Sequence, residues 1–221
     1  MTTVPLFPLN AVLFPGVVTP LHIFEERYRV MIRELLTVEE VFDRVFGVIA
    51  IREGYEVGEH GMQSVHRTGT LVQLTEVDAY EDGRYDIEVI GRQRLRVIDS
   101  ESTSAFLRGE VELLTEDDEP QAVEEAERTL ATFERYRDML SDLRGGPVLA
   151  GEMPHDPAYL SYALASTCLL TLPQRQQLLE AETALERLGR LRHLLNDEMR
   201  AMKALPSLPA TEVARTRWSP N

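Results

Sequence analysis

An α+β fold is predicted from three observations. Apolar runs of strand length, several alternating with polar residues, fill residues 1–115. Apolar residues spaced by three and four fill residues 120–204, the mark of helices packed on one face. The two patterns follow one another without alternating, unlike the rhythm of a parallel βαβ sheet. A strand-rich lobe with one short helix is therefore expected over 1–115, a helical bundle over 120–204 and a flexible tail over 205–221.

In the first lobe, Val4 to Leu9 and Val12 to Phe14 are apolar, but Pro5, Pro8 and Pro15-Gly16 interrupt them. Proline cannot donate to a ladder, so short or edge strands are expected there. Val17 to Ile23 is a further extended run. From Glu25 to Leu36 the period changes, with Tyr28, Met31, Ile32, Leu35 and Leu36 sharing one helical face. Phe46 to Ile51 reads as a strand, and the three glycines of residues 54–63 as a loop. Val65 to Tyr80 and Tyr85 to Ile98 flank Asp82-Gly83, a hairpin signal because both turn residues tolerate positive φ. Ile87, Val89, Leu95 and Val97 alternate with Asp86, Glu88, Arg94 and Arg96, which predicts one buried and one wet face. Gly91 breaks that alternation and suggests a bulge. Phe106 to Leu114 is the last strand.

In the second lobe, Glu116 to Glu119 form an acidic linker and Pro120 suits a first helical turn. Val123, Ala126, Leu130, Phe133 and Leu140 mark an apolar stripe that stops at Gly145-Gly146-Pro147. Asp156-Pro157 reads as an N-cap followed by proline, opening a helix to Leu170. Leu172-Pro173 opens the next, ending at Glu180. Thr183 and Glu186 have capping-box spacing and start the longest helix, striped by Leu185, Leu188, Leu191, Leu195, Met199 and Met202. Residues after Leu205, including Trp218, carry no period.

Composition narrows the function. The 221 residues carry a net charge of −14. Both lobes are acidic, with 11 basic and 19 acidic residues in 1–115 and 12 and 18 in 116–221. Phosphate contacts dominate nucleic-acid affinity, so this charge argues against a nucleic-acid partner. Cys168 is the single cysteine, which excludes an internal disulfide and a four-cysteine zinc site. No basic-start signal segment and no apolar run of about 20 residues occur, so a soluble, cytoplasmic protein without membrane association is expected.

The stretch PLFPLNAVLFPGVVTPLHIFEERYRVMI, Pro5 to Ile32, resembles the opening of the Lon protease N-terminal, substrate-binding domain. Phe46-Gly47-Val48, Gly69-Thr70-Leu71 followed by Val77, Asp82-Gly83-Arg84 and Gly91 to Leu95 agree with that family in order. Asp156-Pro157 to Leu170, Gln176 to Leu179 and Arg187-Leu188 resemble its helical half, with Arg175 where lysine is often found. The resemblance spans residues 3–203. It implies a PUA-like β pseudo-barrel joined to a helical bundle, and a role in engaging substrate proteins. A free-standing module is expected, because the proline-rich end follows soon after the last helix, where a full Lon would continue.

Catalytic apparatus is not encoded in recognisable form. No G-x-x-x-x-G-K-[ST] loop is present, and Lys203, the only lysine, has no matching peptidase serine. His60 and His66 lack the spacing of a helical zinc pair, and even with Glu59 a solvated loop is the plainer reading. Cys168 reads as a buried structural thiol, with His193 no evident partner. His22, within the family-like segment, reads as a strand-end histidine bonded to backbone. Arg92, Arg94 and Arg96 are expected to pair with Glu76, Asp78, Asp86 or Glu88 across the hairpin. The expectation is a non-enzymatic protein-binding module without cofactor or metal, monomeric or weakly self-associating. Its expected partners are proteins or unfolded polypeptides, or a separate protease to which it delivers them. RNA binding through the PUA-like fold, or a small molecule bound or turned over in a cleft between the lobes, is the alternative.

Overall fold

A computed structural model describes residues 2–52, 65–101, 105–116, 119–148 and 153–204. The expected loop at 54–63, with His60 and Glu59, and the tail with Trp218 lie outside them. The chain divides into two compact units, Met1–Thr115 and Glu116–Asn221.

The first unit runs β1 (Thr2–Leu9), β2 (Val18–Ile23), α1 (Glu26–Leu36), a 3-10 turn (Val41–Asp43), β3 (Val45–Ile51), β4 (Val65–Ala79), β5 (Tyr85–Glu101) and β6 (Arg108–Leu113). Its six-stranded sheet has the order β2-β5-β4-β3-β1-β6, and β6 also pairs with β5. Five strands thus close into a ring, with β2 added on the first half of β5. Closure leaves few bare edges, and the one at β2 carries Pro20 at its centre. Thr19, Leu21 and Ile23 bond toward β5, so the proline, which has no N–H to give, faces the open side.

β1 is not the short edge strand its prolines suggested. Residues 2–5 pair antiparallel with β6, and residues 6–9 pair parallel with β3. The Leu6 N–H donates to the Leu107 carbonyl at 2.8 Å, which fixes the alternation of N–H directions. Pro5 then faces the β3 flank one residue before that pairing begins. Pro8 faces the β6 flank beyond the end of that pairing. Neither ladder loses a donor, so the strand tolerates both.

Val12 to Phe14 form no strand, a second departure from expectation. Their side chains are buried, but Pro15 and Gly16, the latter at φ 76°, turn the backbone away. The segment is instead held across β4 and β5. The Thr70 hydroxyl donates to the Leu13 carbonyl at 2.7 Å. Gly16 N–H donates to the Gly91 carbonyl at 2.9 Å, and Gly91 N–H to the Val17 carbonyl at 3.1 Å.

The β4–β5 hairpin turns at residues 81–83. Gly83 N–H donates to the Tyr80 carbonyl at 2.9 Å, and Gly83 takes φ 81°. The suggested bulge exists, with Arg92 as the extra residue, since Leu71 pairs with Gln93 and Val72 with Gly91. A second irregularity inserts Thr75 between the Leu74–Val89 and Glu76–Glu88 pairs. Two cores result. One holds Phe7, Phe46, Val72 and Val89 against Tyr28, Met31, Ile32 and Leu35 of α1. The other, inside the ring, gathers Val4, Leu6, Ile49, Leu95, Val97 and Val111. β1 is buried on both faces because its alternate residues serve different cores.

The second unit comprises α2 (Gln121–Arg144), α3 (Pro157–Thr167), α4 (Leu172–Glu180) and α5 (Ala184–Ala204), with α5 packed on the other three. Asp156 caps α3 by accepting from the Tyr159 N–H at 3.0 Å. α3 ends at Thr167 because Thr171 and Gln174 form a capping box that starts α4 at once. Gly145, at φ 71°, ends α2 in the left-handed conformation. The α2 stripe is displaced from the expected one. Val123 is 55% exposed, while Glu125, Thr129 and Thr132 are buried beside Ala126 and Phe133. Polar partners on α5 explain the shift: Glu125 accepts from Arg192 Nε at 2.7 Å, and Thr129 Oγ1 donates to the Leu188 carbonyl at 3.3 Å. Among the described residues no helix is long and apolar enough to cross a membrane.

Candidate protein-interaction surface

The register of β5 with β2 and β4 builds one continuous outer face. His22, Asp86 and Asp78 stand in one row, and Pro20, Glu88 and Glu76 in the next. Their neighbours Ile23, Ile87 and Val89 turn into the core, so these rows turn outward. Val18 is 50% exposed, Tyr80 45% and Phe24 37% along the margins of this face.

The expectation that arginines answer these carboxylates fails. Glu76 lies directly opposite Glu88, and Asp78 opposite Asp86. The hairpin tip is the cause, because counting back from the Ala79–Tyr85 pair sets carboxylate against carboxylate and leaves Arg94 opposite Thr70 and Arg96 opposite Thr68. Arg94 is buried, Arg96 reaches Glu112 on β6 at 3.4 Å, and the Arg92 guanidinium lies 5.9 Å from the ring centre of Phe42, itself 70% exposed. The three arginines therefore form no basic strip.

His22 has a side-chain partner beyond the strand-end reading, its Nδ1 lying 2.5 Å from Asp86 Oδ1. The Tyr80 hydroxyl donates to the other Asp86 oxygen. The rings of Phe24 and Tyr80 each centre 6.1 Å from His22. Arg84 lies over the Tyr80 ring and bonds Asp82 at 2.8 Å. From α1, Arg29 grips the turn by donating to the Gly83 carbonyl at 2.7 Å, which holds the hairpin tip in place.

The hydrogen bond from Tyr80, followed by that from His22, lowers the Asp86 carboxyl below its usual range, and the Tyr80 phenol is raised by the same bond. A depressed carboxyl stabilises the fold above its unfolded pKa, and that contribution is lost as pH falls through the folded value. Tyr80→Phe should therefore move the Asp86 titration upward, toward the ordinary aspartate range. Carbon-detected NMR titration of the carboxyl checks this, and an unmoved Asp86 would refute the assignment of Tyr80 as its main perturber.

The second unit holds a polar centre that sequence reasoning missed. Arg187 is fully buried. It donates from Nε to the Leu178 carbonyl at 3.1 Å, from Nη1 to Ser161 Oγ at 2.8 Å and from Nη2 to Glu116 Oε1 at 2.9 Å. Its guanidinium lies 4.0 Å from the ring centre of Tyr162, whose hydroxyl also donates to Glu116. One signal was available: Arg187 falls three residues after Ala184 and four before Leu191, on the apolar stripe of α5. A charged residue there needs partners.

The remaining candidates stay apart. Cys168 is buried and His193 exposed. Among the described residues, no group of three or more histidine, cysteine or carboxylate side chains could hold a metal. Lys203 is exposed near the end of α5.

The family model of the ATP-dependent protease La (LON) substrate-binding domain matches residues 3–197. Lon protease 2 of Herpetosiphon aurantiacus is 30% identical over 198 residues, covering 88% of this chain and 24% of that protein. Lon protease of Cytophaga hutchinsonii is 23% identical over 213 residues, covering 91% and 25%. The chain spans about a quarter of the length of these curated relatives. A Lon N-terminal domain protein from Xanthomonas campestris superposes with TM-score 0.61 at 25% identity, covering 86% of this chain and 97% of the other. The N-terminal domain of the Mycobacterium avium complex Lon protease gives 0.65 at 20% identity, covering 89% and 99%, a likeness of fold.

Proposed function

This chain belongs to the Lon substrate-binding domain family, and from that premise we propose that it is a non-catalytic module binding unfolded polypeptides, for its own purposes or on behalf of a separate protease. The match through residues 3–197 carries the reading, because it takes in both compact units. On this view residues 1–115 and 120–204 are two lobes of one domain, needing no cofactor. The exposed outer face of β2, β5 and β4 supports a protein partner, since aromatic rings beside polar groups suit contact surfaces. Facing carboxylates repel phosphate, which favours polypeptide over RNA.

Fluorescence anisotropy with a permanently unfolded, labelled model protein tests the proposal, and the bound chain should emerge intact. Failure to bind any unfolded chain, or cleavage of one by the purified protein alone, would sink it. A salt-dependent gel shift with single-stranded RNA should be flat.

A further inference from the structure

We infer that the outer face of β2, β5 and β4 selects cationic segments of its polypeptide partner; this rests on the protein-binding reading above and specifies what is bound. Glu76 with Glu88, and Asp78 with Asp86, are directly opposed across adjacent strands, which brings like charges to about 5 Å at their Cβ atoms. Such pairing works against the sheet, and where the fold leaves it uncompensated it marks a surface kept for another purpose. His22 and Tyr80 engage Asp86, and Arg84 engages Asp82. Among the described residues no cationic side chain pairs with Glu76 or Glu88, and a lysine or arginine head laid between the two would relieve their repulsion.

The margins of the face fit the rest of such a side chain. Val18 and Pro20 offer apolar surface to its aliphatic stem, and the part-exposed rings of Tyr80 and Phe24 extend that surface at the margins. Two other occupants fit worse. A second copy of this chain brings a net charge of −14 to an already acidic face. A partner strand added at the edge of β2 meets Pro20, which has no N–H to donate. Recognition is therefore through side chains on the sheet face.

The test measures binding of three labelled, unstructured peptides of one length that differ only in bearing arginine, glutamine or glutamate at alternate positions. The intact chain should bind the arginine peptide about tenfold or more tightly than the glutamine one, with the preference shrinking as salt rises from about 50 to 500 mM. Glu76→Gln combined with Glu88→Gln should remove most of that preference while leaving the melting temperature unchanged or higher. The comparator, Glu127→Gln with Glu134→Gln on the exposed side of α2, alters net charge equally and should keep the preference. Binding without charge preference, or equal loss in both double variants, overturns this inference and leaves the protein-binding reading standing. If no peptide of any charge binds and unfolded proteins also fail, both fall.

Discussion

Arg187→Ala is expected to destabilise the protein by about 3–5 kcal/mol, the cost of breaking a buried charged network by removing one partner. The substitution strips donors from the Leu178 and Ala181 carbonyls, the Ser161 hydroxyl and the Glu116 carboxylate together. It also leaves a cavity beneath Tyr162. Arg187→Lys should recover little, because one ammonium cannot reproduce a planar fork aimed at three directions. Arg187→Met combined with Glu116→Gln should recover more, since no uncompensated charge then remains. Urea unfolding followed by far-ultraviolet circular dichroism measures all three. An unchanged midpoint for Arg187→Ala would show that the helical unit does not depend on this centre.

Gly91→Ala is expected to cost about 3 kcal/mol, by forcing backbone against backbone. A Cβ at this position would sit 2.8 Å from the Phe14 carbonyl carbon and 2.9 Å from Pro15 Cα, with the Phe14 oxygen nearer still. None of these atoms belongs to a flexible side-chain end that could swing aside. Relief requires the Leu13–Val17 crossing to move, which would disturb buried Phe14 and the Thr70–Leu13 bond. Gly146→Ala is the internal comparison, because a Cβ there meets nothing within 4 Å. It should change stability by no more than about 0.5 kcal/mol. Thermal melts of the two variants side by side decide the matter.

What was legible in the sequence was local. The hairpin at Asp82-Gly83, the cap at Asp156 and the stop at Gly145 follow from the conformations those residues permit, and each appears where the residues stand. Long-range pairing was not legible. Val123 looked like part of the α2 stripe because valine is apolar, whereas Glu125 is buried there because Arg192 awaits it on α5. The facing carboxylates of the candidate surface follow from the count back from the hairpin tip, and which residues close that tip is set by the Tyr80–Arg84 and Gly83–Tyr80 bonds rather than by the strands' own alternation. His22 could be placed on a strand, but its carboxylate partner emerged only once β2 and β5 were in register. Arg187 is the instructive miss, since a charge on an apolar helical stripe was visible and its meaning was not drawn.

The divided pairing of β1 has a consequence in time. Its first half needs β6, where Thr2 meets Val111, so the ring cannot close until nearly the whole first unit exists. At about 5–20 residues per second, a ribosome leaves β1 waiting roughly 5–20 s for that partner. Throughout that interval the residues from Val4 to Leu9, all buried in the finished fold, stand open to neighbouring nascent chains. Pro5 and Pro8 then act as kinetic guards. Each withholds an N–H from any foreign strand that tries to pair along β1, yet in the closed ring neither is missed.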